Sequence, residues 1–276
     1  MKNTSQKPPN KVVTLTTDYG ERDGFVGAVK GVLLSFCSET QLIDITHQIS
    51  AFNVEEAAFV FYSAAPFFPK GTIHLVVVDP GVGGKRRPIA VRTTRGIYVG
   101  PDNGVFSWVY ANEQKVEVLH LNQRRFFLKR VSATFHGRDL FASVVGYLLQ
   151  GVSLEKMGTP IRDYVRFPIS KVKRRGRSLK GAIIHVDHFG NAITNITEKD
   201  LQHLASPRRM TVRVGGIEIR GIQKTFSSVE RMQPIVYIGG SGNLEIAIRE
   251  GNAAQEIGVR LGDSINVETS PLFGVC

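Results

Sequence analysis

The sequence lacks several features by which protein classes are often recognised. Its 276 residues include only two cysteines, Cys37 and Cys276, too few for a disulfide framework or a cysteine-based metal site. Met1–Asn10 is polar, without an apolar segment of signal-peptide length, and no apolar run elsewhere is long enough to cross a membrane. We therefore expect a soluble cytoplasmic protein with no membrane contact, and no cluster of side chains predicts a metal.

Positive charge, by contrast, is plentiful: the formal net charge is +11. Clustered lysine and arginine can neutralise nucleic-acid phosphates. The densest run, Lys171–Arg177, has no interleaved aromatic residues of the kind that stack on single-stranded bases. We interpret this run as a solvated basic linker and expect no nucleic-acid partner; steeply salt-dependent binding to DNA or RNA would favour the alternative.

The first part of the chain alternates between strand-like and helix-like segments, which predicts an α/β domain with a mainly parallel sheet covered on both faces. The predicted strands are Lys11–Thr17, Gln41–Thr46, Thr72–Val78 and the pair Ile89–Thr93 and Ile97–Val99; the predicted helices are Asp23–Ser35, Val54–Ala65, Gly104–Ala111 and Asp139–Gln150. Ligands of such folds gather at the carboxyl ends of the strands. That rule directs attention to Asp18 and Asp79, which follow apolar strands.

Beyond the basic run, short strand-like segments are separated by glycine and asparagine, and helical periodicity is nearly absent. These segments are Gly181–Val186, Met210–Val214, Ile217–Ile219, Ile235–Gly239, Leu244–Ile248 and Ser264–Glu268. Such a pattern predicts a small β-barrel or sandwich. We expect an N-terminal α/β domain over residues 1–170, a basic linker over 171–180 and a C-terminal β-barrel domain over 181–276.

The segment Val76–Arg87 holds the first group of candidate site residues. A carboxylate after a buried strand, followed by a glycine-rich turn and cations, can place Asp79 beside Arg86 or Arg87 in a cleft. Two other interpretations stay open here. The glycines could cradle a phosphate, although the Walker spacing is missing, or the segment could be a purely structural turn.

The segment Ala133–Asp139 places His136 directly before a predicted helix. The positive end of the helix dipole disfavours imidazolium, leaving a neutral ring that can accept a proton or hydrogen-bond a nucleophilic water. Asp139 can cap the helix or pair with Arg138. Taken alone, a histidine in this position is more often structural than catalytic.

A third segment, Val186–Asn195, combines carboxylate and amide groups with an aromatic ring. Asp187, Asn191 and Asn195 are polar, and Phe189 precedes a glycine that lets a ligand approach the backbone. Amide edges for a base and a ring for stacking suit nucleoside recognition. A tight polar turn between strands is the alternative.

Together with Thr16–Gly20 and Ala51–Glu56, these segments resemble the superfamily of S-adenosylmethionine (SAM) hydroxide adenosyltransferases, or SAM hydrolases, and the SAM-dependent fluorinase and chlorinase. The resemblance runs from about Val12 to the C-terminus and rests on the joint presence and order of the motifs. It implies an α/β domain followed by a small β-barrel, with SAM as the substrate and no cofactor. It also implies a homotrimer that binds SAM between the N-terminal domain of one subunit and the C-terminal domain of its neighbour.

The resemblance assigns substrate contacts to residues of both domains. Asp18 would hold the ribose hydroxyls, and Phe52 would form an aromatic wall beside the sugar. Asp187, Phe189 and Asn191 would serve the methionine ammonium and the adenine.

Gly240 and Ser241 occupy the stretch that contacts the methionine carboxylate in relatives. Halogenases carry Ser-Arg there, so this chain departs from their pattern. Backbone amides are an alternative source of the carboxylate contact.

The hydrolase branch is distinguished by an Asp, an Arg and a His acting on water, which the motifs place at Asp79, Arg86 and His136. Halogenases instead carry Tyr, Thr and Ser at the positions of Asp79, Val82 and Gly137. The resemblance therefore implies hydrolysis of SAM to adenosine and methionine, by attack of activated water at the ribose C5′. A halogenase giving 5′-halo-5′-deoxyadenosine and a non-catalytic SAM or nucleoside sensor are the alternatives.

Overall fold

The computed structural model describes residues 11–202, 204 and 206–269. Met1–Asn10 and Cys276, which entered the sequence predictions, lie outside these residues. The chain divides into two compact units, one ending at Pro168 and the other beginning at Ile169. No helix in the described part of the chain combines the length and apolar character that a membrane crossing needs.

In the first unit, seven strands of the described residues form one sheet in the order β2-β1-β3-β5-β4-β6-β7. They are β1 (Val12–Thr17), β2 (Gln41–Thr46), β3 (Thr72–Val77), β4 (Pro88–Arg92), β5 (Gly96–Pro101), β6 (Glu117–Leu121) and β7 (Gly158–Ile161). Strand β1 pairs in parallel with β2 and β3, and β3 with β5, whereas β4 pairs antiparallel with β5 and β6, and β6 with β7. The sheet is therefore mixed, and the prediction of a mainly parallel sheet is wrong because it omitted β6 and β7.

Helices pack on both faces of this sheet. They are α1 (Phe25–Phe36), α2 (Val54–Ala64), α3 (Ser107–Asn112) and α4 (Ser143–Leu149). Alternate residues of a strand point to opposite faces. Accordingly, Leu75 and Val77 join one core with residues of α1 and α4, while Val76 and Val78 join a second core that contains Phe61 of α2.

Two helix starts bear on the candidate site. Helix α2 begins where the sequence predicts, because the side chain of Asn53 accepts a hydrogen bond from the Glu56 backbone N–H at 3.1 Å. The helix predicted from Asp139 begins instead as a π-helical turn over Gly137–Ala142, which runs into α4. His136 is the N-cap residue of that turn. Short π-helical turns are frequent at functional sites.

The second unit is an eight-stranded sheet that is nearly barrel-shaped, built around its own apolar core. Its elements are β8 (Lys173–Arg175), β9 (Ser178–Val186), β10 (Ala192–Thr197), α5 (Glu198–Leu201), β11 (Met210–Val214), β12 (Ile217–Arg220), β13 (Pro234–Ile238), β14 (Asn243–Ile248), α6 (Ala253–Glu256) and β15 (Ser264–Thr269). The main path of strands runs from β12 to β13. A bridge from Gln223, just after β12, to Tyr237 of β13 brings the two ends together.

Three residues of the basic run form strand β8. Strand β8 is exposed and pairs antiparallel with the start of β9. Residues of the predicted linker over 171–180 thus form a β-hairpin at the start of the second unit. Strand β10 was also absent from the predicted strands, since most of it was considered as part of the polar motif Val186–Asn195.

Candidate active site

The sheet brings the first two candidate carboxylates to the same edge. Asp18 directly follows β1, and Asp79 follows β3 by one intervening residue. The two strands are parallel neighbours, with Thr17 opposite Val77, so their carboxyl ends coincide. A cavity of about 250 Å³ opens at this edge, lined by Asp18, Tyr19, Phe25, Ala51, Phe52, Val77, Asp79, Val82, Thr134, His136 and Gly137.

Asp79 forms a buried ion pair with Arg86. The Nε of Arg86 donates to both carboxylate oxygens of Asp79, at 2.9 and 3.0 Å, and Nη2 donates to Oδ2 as well. The two side chains are only 6% and 9% exposed. Charge-assisted, forked pairs of this kind fix geometry as well as contribute energy. The pair therefore holds the Asp79 carboxylate in one orientation at the cavity.

The loop between Asp79 and Arg86 needs glycine at position 83. Gly83 has a φ of 75°, and a Cβ there would lie 2.2 Å from the backbone oxygen of Ala133. An L-residue is strained in this left-handed conformation. The loop consequently packs closely on the segment that leads to His136, and this packing brings Arg86 and His136 together.

His136 completes the group through a hydrogen bond of 2.7 Å between its Nδ1 and Nη2 of Arg86. A guanidinium has donors but no acceptor, so Nδ1 must accept, and the proton of the neutral ring lies on Nε2. Burial, followed by the charge of Arg86, lowers the pKa of His136 against the opposing effects of Asp79 and Asp139. The ring is therefore neutral near pH 7 and offers an N–H donor.

Arg86, rather than Arg87, is the cation of this group. The Nε of Arg87 donates to Asp102 at 2.9 Å, and Nη1 donates to Asp163 at 2.8 Å. Arg86 is not one of the cavity-lining residues named above, but it bridges Asp79 and His136, which are. Arg86 is thus placed to position the two groups that face the cavity.

Asp18 and Phe52 meet at the same cavity. The backbone N–H of Phe52 donates to Oδ2 of Asp18 at 2.9 Å. Phe52 adopts a φ of 68° and its ring is 70% exposed. A large aromatic ring exposed on a strained backbone is typical of a binding surface.

The predicted contacts in the second unit are also brought together. Oδ1 of Asp187 accepts from the backbone N–H groups of Phe189 and Asn191, and Oδ2 accepts from the Asn191 side chain, each at 2.9 Å. Phe189 is 72% exposed. These residues line a cavity of about 550 Å³ together with Phe226, Tyr237, Ile248, Glu250, Gly251 and Asn252. Asp187 therefore shapes the turn that presents Phe189 and Asn191.

Gly240 and Ser241 do not join this group. They lie in the exposed turn between β13 and β14, outside the residues named above as lining the cavity. Asn195, considered with the same motif, has a structural role in the second unit: it is 8% exposed, accepts from the Ala182 N–H and donates to the Ser170 carbonyl.

Sequence reasoning missed several residues that line the two cavities. In the second unit, Tyr237 donates to Oε2 of the buried Glu245 at 2.6 Å and packs against Phe226. In the first, Tyr19 and Phe25 contribute aromatic rings. Tyr19 had a usable signal, because it directly follows Asp18 at a strand end, but Phe226 lies far in sequence from every predicted motif.

Comparisons with known proteins identify the family of the chain. The N-terminal domain model of the SAM hydroxide adenosyltransferases matches residues 13–158, and the C-terminal domain model matches residues 181–266. Because the two models together match well over half of the chain, the protein belongs to the SAM hydroxide adenosyltransferase family.

Individual relatives extend along almost the whole chain. An (R)-S-adenosyl-L-methionine hydrolase from Salinispora tropica is 36% identical and covers 94% of this chain and 98% of its own length. A crystal structure of an uncharacterized conserved protein from Thermotoga maritima has a TM-score of 0.87 and 35% identity, covering 92% of this chain and 99% of its own. A fluorinase from Actinopolyspora mzabensis is more distant, at 26% identity over 94% of this chain and 97% of its own.

Proposed function

We propose that the protein hydrolyses S-adenosylmethionine to adenosine and methionine. Four curated relatives, 32–36% identical, are named (R)-S-adenosyl-L-methionine hydrolase. The observation that carries the proposal is the convergence of Asp79 and His136 at one cavity, where Arg86 bridges them. The reaction needs no cofactor, since SAM brings its own leaving group.

Water is the weak partner in this reaction, and the three residues act on it. The sulfonium leaves as a neutral thioether, so no general acid is required. Arg86 supplies three hydrogen bonds to Asp79, and a carboxylate can accept about four, which leaves a lone pair for a water O–H. As water attacks the ribose C5′ and the C5′–S bond breaks, Asp79 accepts the proton and passes it to solvent, while the Nε2–H of His136 orients the oxygen.

Substrate recognition is divided between the two cavities. Asp18 takes the ribose hydroxyls and Phe52 packs beside the sugar, consistent with their positions at the first cavity. Phe189 and Asn191 stack on and hydrogen-bond the adenine, and Asp187, besides shaping their turn, attracts the methionine ammonium.

Gly240 and Ser241 are left for the methionine carboxylate. Their exposed turn offers backbone amides and a hydroxyl. No arginine follows Ser241, since the next residue is Gly242, so this contact carries no formal charge.

A product assay in ¹⁸O-labelled water tests the reaction. We expect adenosine carrying the label in its 5′-hydroxyl and unlabelled methionine, identified by mass spectrometry. Asp79→Asn protein, purified in the same way, is the matched control and should give a rate lower by about two to four orders of magnitude, the usual contribution of acid–base catalysis. Unlabelled adenosine, or equal rates for the two proteins, would contradict the mechanism.

The same assay separates the alternatives. A 5′-halo-5′-deoxyadenosine formed in the presence of chloride or fluoride would identify a halogenase, and unchanged SAM in a stable complex would identify a sensor. Two features argue against a halide site. Arg86 directs Nε and Nη2 to Asp79 and His136, and the Asp79 carboxylate repels an anion.

We also propose a homotrimer in which the predicted domain over residues 1–170 of one subunit and the domain over 181–276 of its neighbour share each SAM. Separate cavities in the two units, each with part of the required chemistry, support this arrangement. Mixed and reassembled Asp79→Asn and Phe189→Asp subunits should regain activity, with intact sites making up about a quarter of the total at equal mixing. Absence of any recovery would show that each site belongs to one chain.

The proposed compartment is the cytoplasm. Cys37 is a free thiol, which suits a reducing environment. Cell fractionation should recover the protein with cytoplasmic markers, and recovery with secreted proteins would contradict this location.

A further inference from the structure

Tyr19 lies at the first cavity but has no part in the mechanism above. Its ring centroid is 5.9 Å from that of Phe25 and 5.9 Å from that of Phe135, and those two rings are 5.4 Å apart. Its backbone N–H donates to the Thr17 hydroxyl at 3.2 Å. Packing by two aromatic neighbours and a fixed backbone hold the ring in one orientation.

The hydroxyl of Tyr19 lies over the backbone of Gly137. A Cβ added at Gly137 would meet the Tyr19 oxygen at 2.1 Å, the ring carbon Cζ at 3.2 Å and Cγ1 of Val77 at 3.5 Å. Gly137 and Val77 both line the cavity that Asp79 and His136 line. The phenol oxygen is therefore part of the same wall, next to the residue that follows His136.

The hydroxyl at this position keeps its proton. Burial raises the pKa of Tyr19, the carboxylates of Asp18 and Asp79 raise it further, and Arg86 opposes them. A neutral phenol can donate one hydrogen bond and accept others. It brings a directional polar group to the cavity without adding charge.

We propose that the Tyr19 hydroxyl is a further polar group of the water pocket, hydrogen-bonding the attacking water beside Asp79 and His136, and that residue 137 is glycine because a side chain there would displace it. The inference rests on the proposed function, since it assigns this group to the water. Tyr19 keeps its own proton throughout: the water oxygen bonds to C5′, the C5′–S electron pair leaves with sulfur, and the water proton passes to Asp79.

Tyr19→Phe tests the catalytic part, because it keeps the ring and removes only the oxygen. The loss of one hydrogen bond to the reacting water should lower kcat by about fivefold to tenfold, with the KM for SAM and the Tm near wild-type values. Tyr62→Phe is the matched control: it removes a half-buried hydroxyl that donates to Glu113 at 3.4 Å, and its kcat should be that of the wild type. A Tyr19→Phe enzyme with wild-type kcat would overturn the inference.

A double-mutant cycle tests the steric part. Gly137→Ala should lower the Tm sharply in the wild type and much less in the Tyr19→Phe background, where the nearest remaining ring carbon is 3.2 Å from the new methyl. Equal decreases in the two backgrounds would show that the hydroxyl does not occupy this position. Failure of the wild-type enzyme to release adenosine and methionine would instead refute the proposed function, and is measured separately.

Discussion

Replacing Arg86 by lysine should slow catalysis far more than the same change at its neighbour Arg87. Arg86 joins Asp79 to His136 through Nε and Nη2, and a single ammonium cannot reproduce that fork. Arg87 is tied to Asp102 and Asp163 instead. The two substitutions conserve charge and are adjacent in sequence, so each is the control for the other.

The expected size of the effect follows from the hydrogen bonds that a lysine at position 86 cannot make. Hydrogen bonds to charged groups contribute about 1.5–3 kcal/mol each, so losing one that orients Asp79 or His136 in the transition state corresponds to about a tenfold to hundredfold lower kcat. Steady-state formation of adenosine measures it, with the Tm recorded for both variants. Arg87→Lys should change the Tm but keep kcat within about twofold of wild type. Equal kcat losses in the two variants, or none at Arg86, would refute the assignment of Arg86 as the bridging residue.

Three further outcomes are expected. Gly83→Ala should lower the Tm by at least about 2 °C, since left-handed strain and the clash together exceed about 1 kcal/mol and each kcal/mol shifts the Tm of a unit of this size by about 2–4 °C. Gly31→Ala, where a Cβ meets nothing within 4 Å, should not lower it, and equal Tm values for both would contradict this. Burial and Arg86 lower the pKa of His136 from 6.5, and only the neutral ring accepts a hydrogen bond from Arg86. On acidification, kcat should therefore stay level down to pH 6.5 and fall below it. A fall in kcat that begins above pH 6.5 would exclude His136 as its source. Phe52→Ala should raise the KM for SAM about threefold to tenfold. The Tm should change little because the ring is exposed, and a large fall in Tm would indicate a packing role instead.

Local signals were sufficient to predict much of the first unit. The apolar runs that became β1, β2 and β3 are short, β-branched and bounded by polar turns, so their ends, and with them Asp18 and Asp79, were visible in the sequence. Asn53 marked the start of α2 for the same reason, because side-chain capping is a local interaction. The geometric convergence of Asp79 with His136, however, was expected only from the resemblance to a family.

Features that depend on pairing between distant segments were not predictable. Strand β6 looks like an isolated short apolar run, and only its antiparallel pairing with β4 makes it part of the sheet. The choice between Arg86 and Arg87 was open in the sequence because the partner Asp163 lies 76 residues from Arg87. The clash that reserves position 137 for glycine likewise involves Tyr19, which is separated from it by most of the first unit.

For the proposed reaction, the charges around Asp79 also give a reason for an arginine at this site. A sulfonium substrate is positively charged in the ground state, and that charge disappears as the C5′–S bond breaks. A lone buried carboxylate would attract the sulfonium most strongly before the reaction, and binding that is tighter in the ground state than in the transition state slows the chemical step. By pairing Asp79 with Arg86 and leaving His136 neutral, the fold keeps a proton acceptor at the cavity while weakening its attraction for the sulfonium. In the proposed mechanism, the cation at position 86 thus acts both on the orientation of Asp79 and on the electrostatics of the substrate.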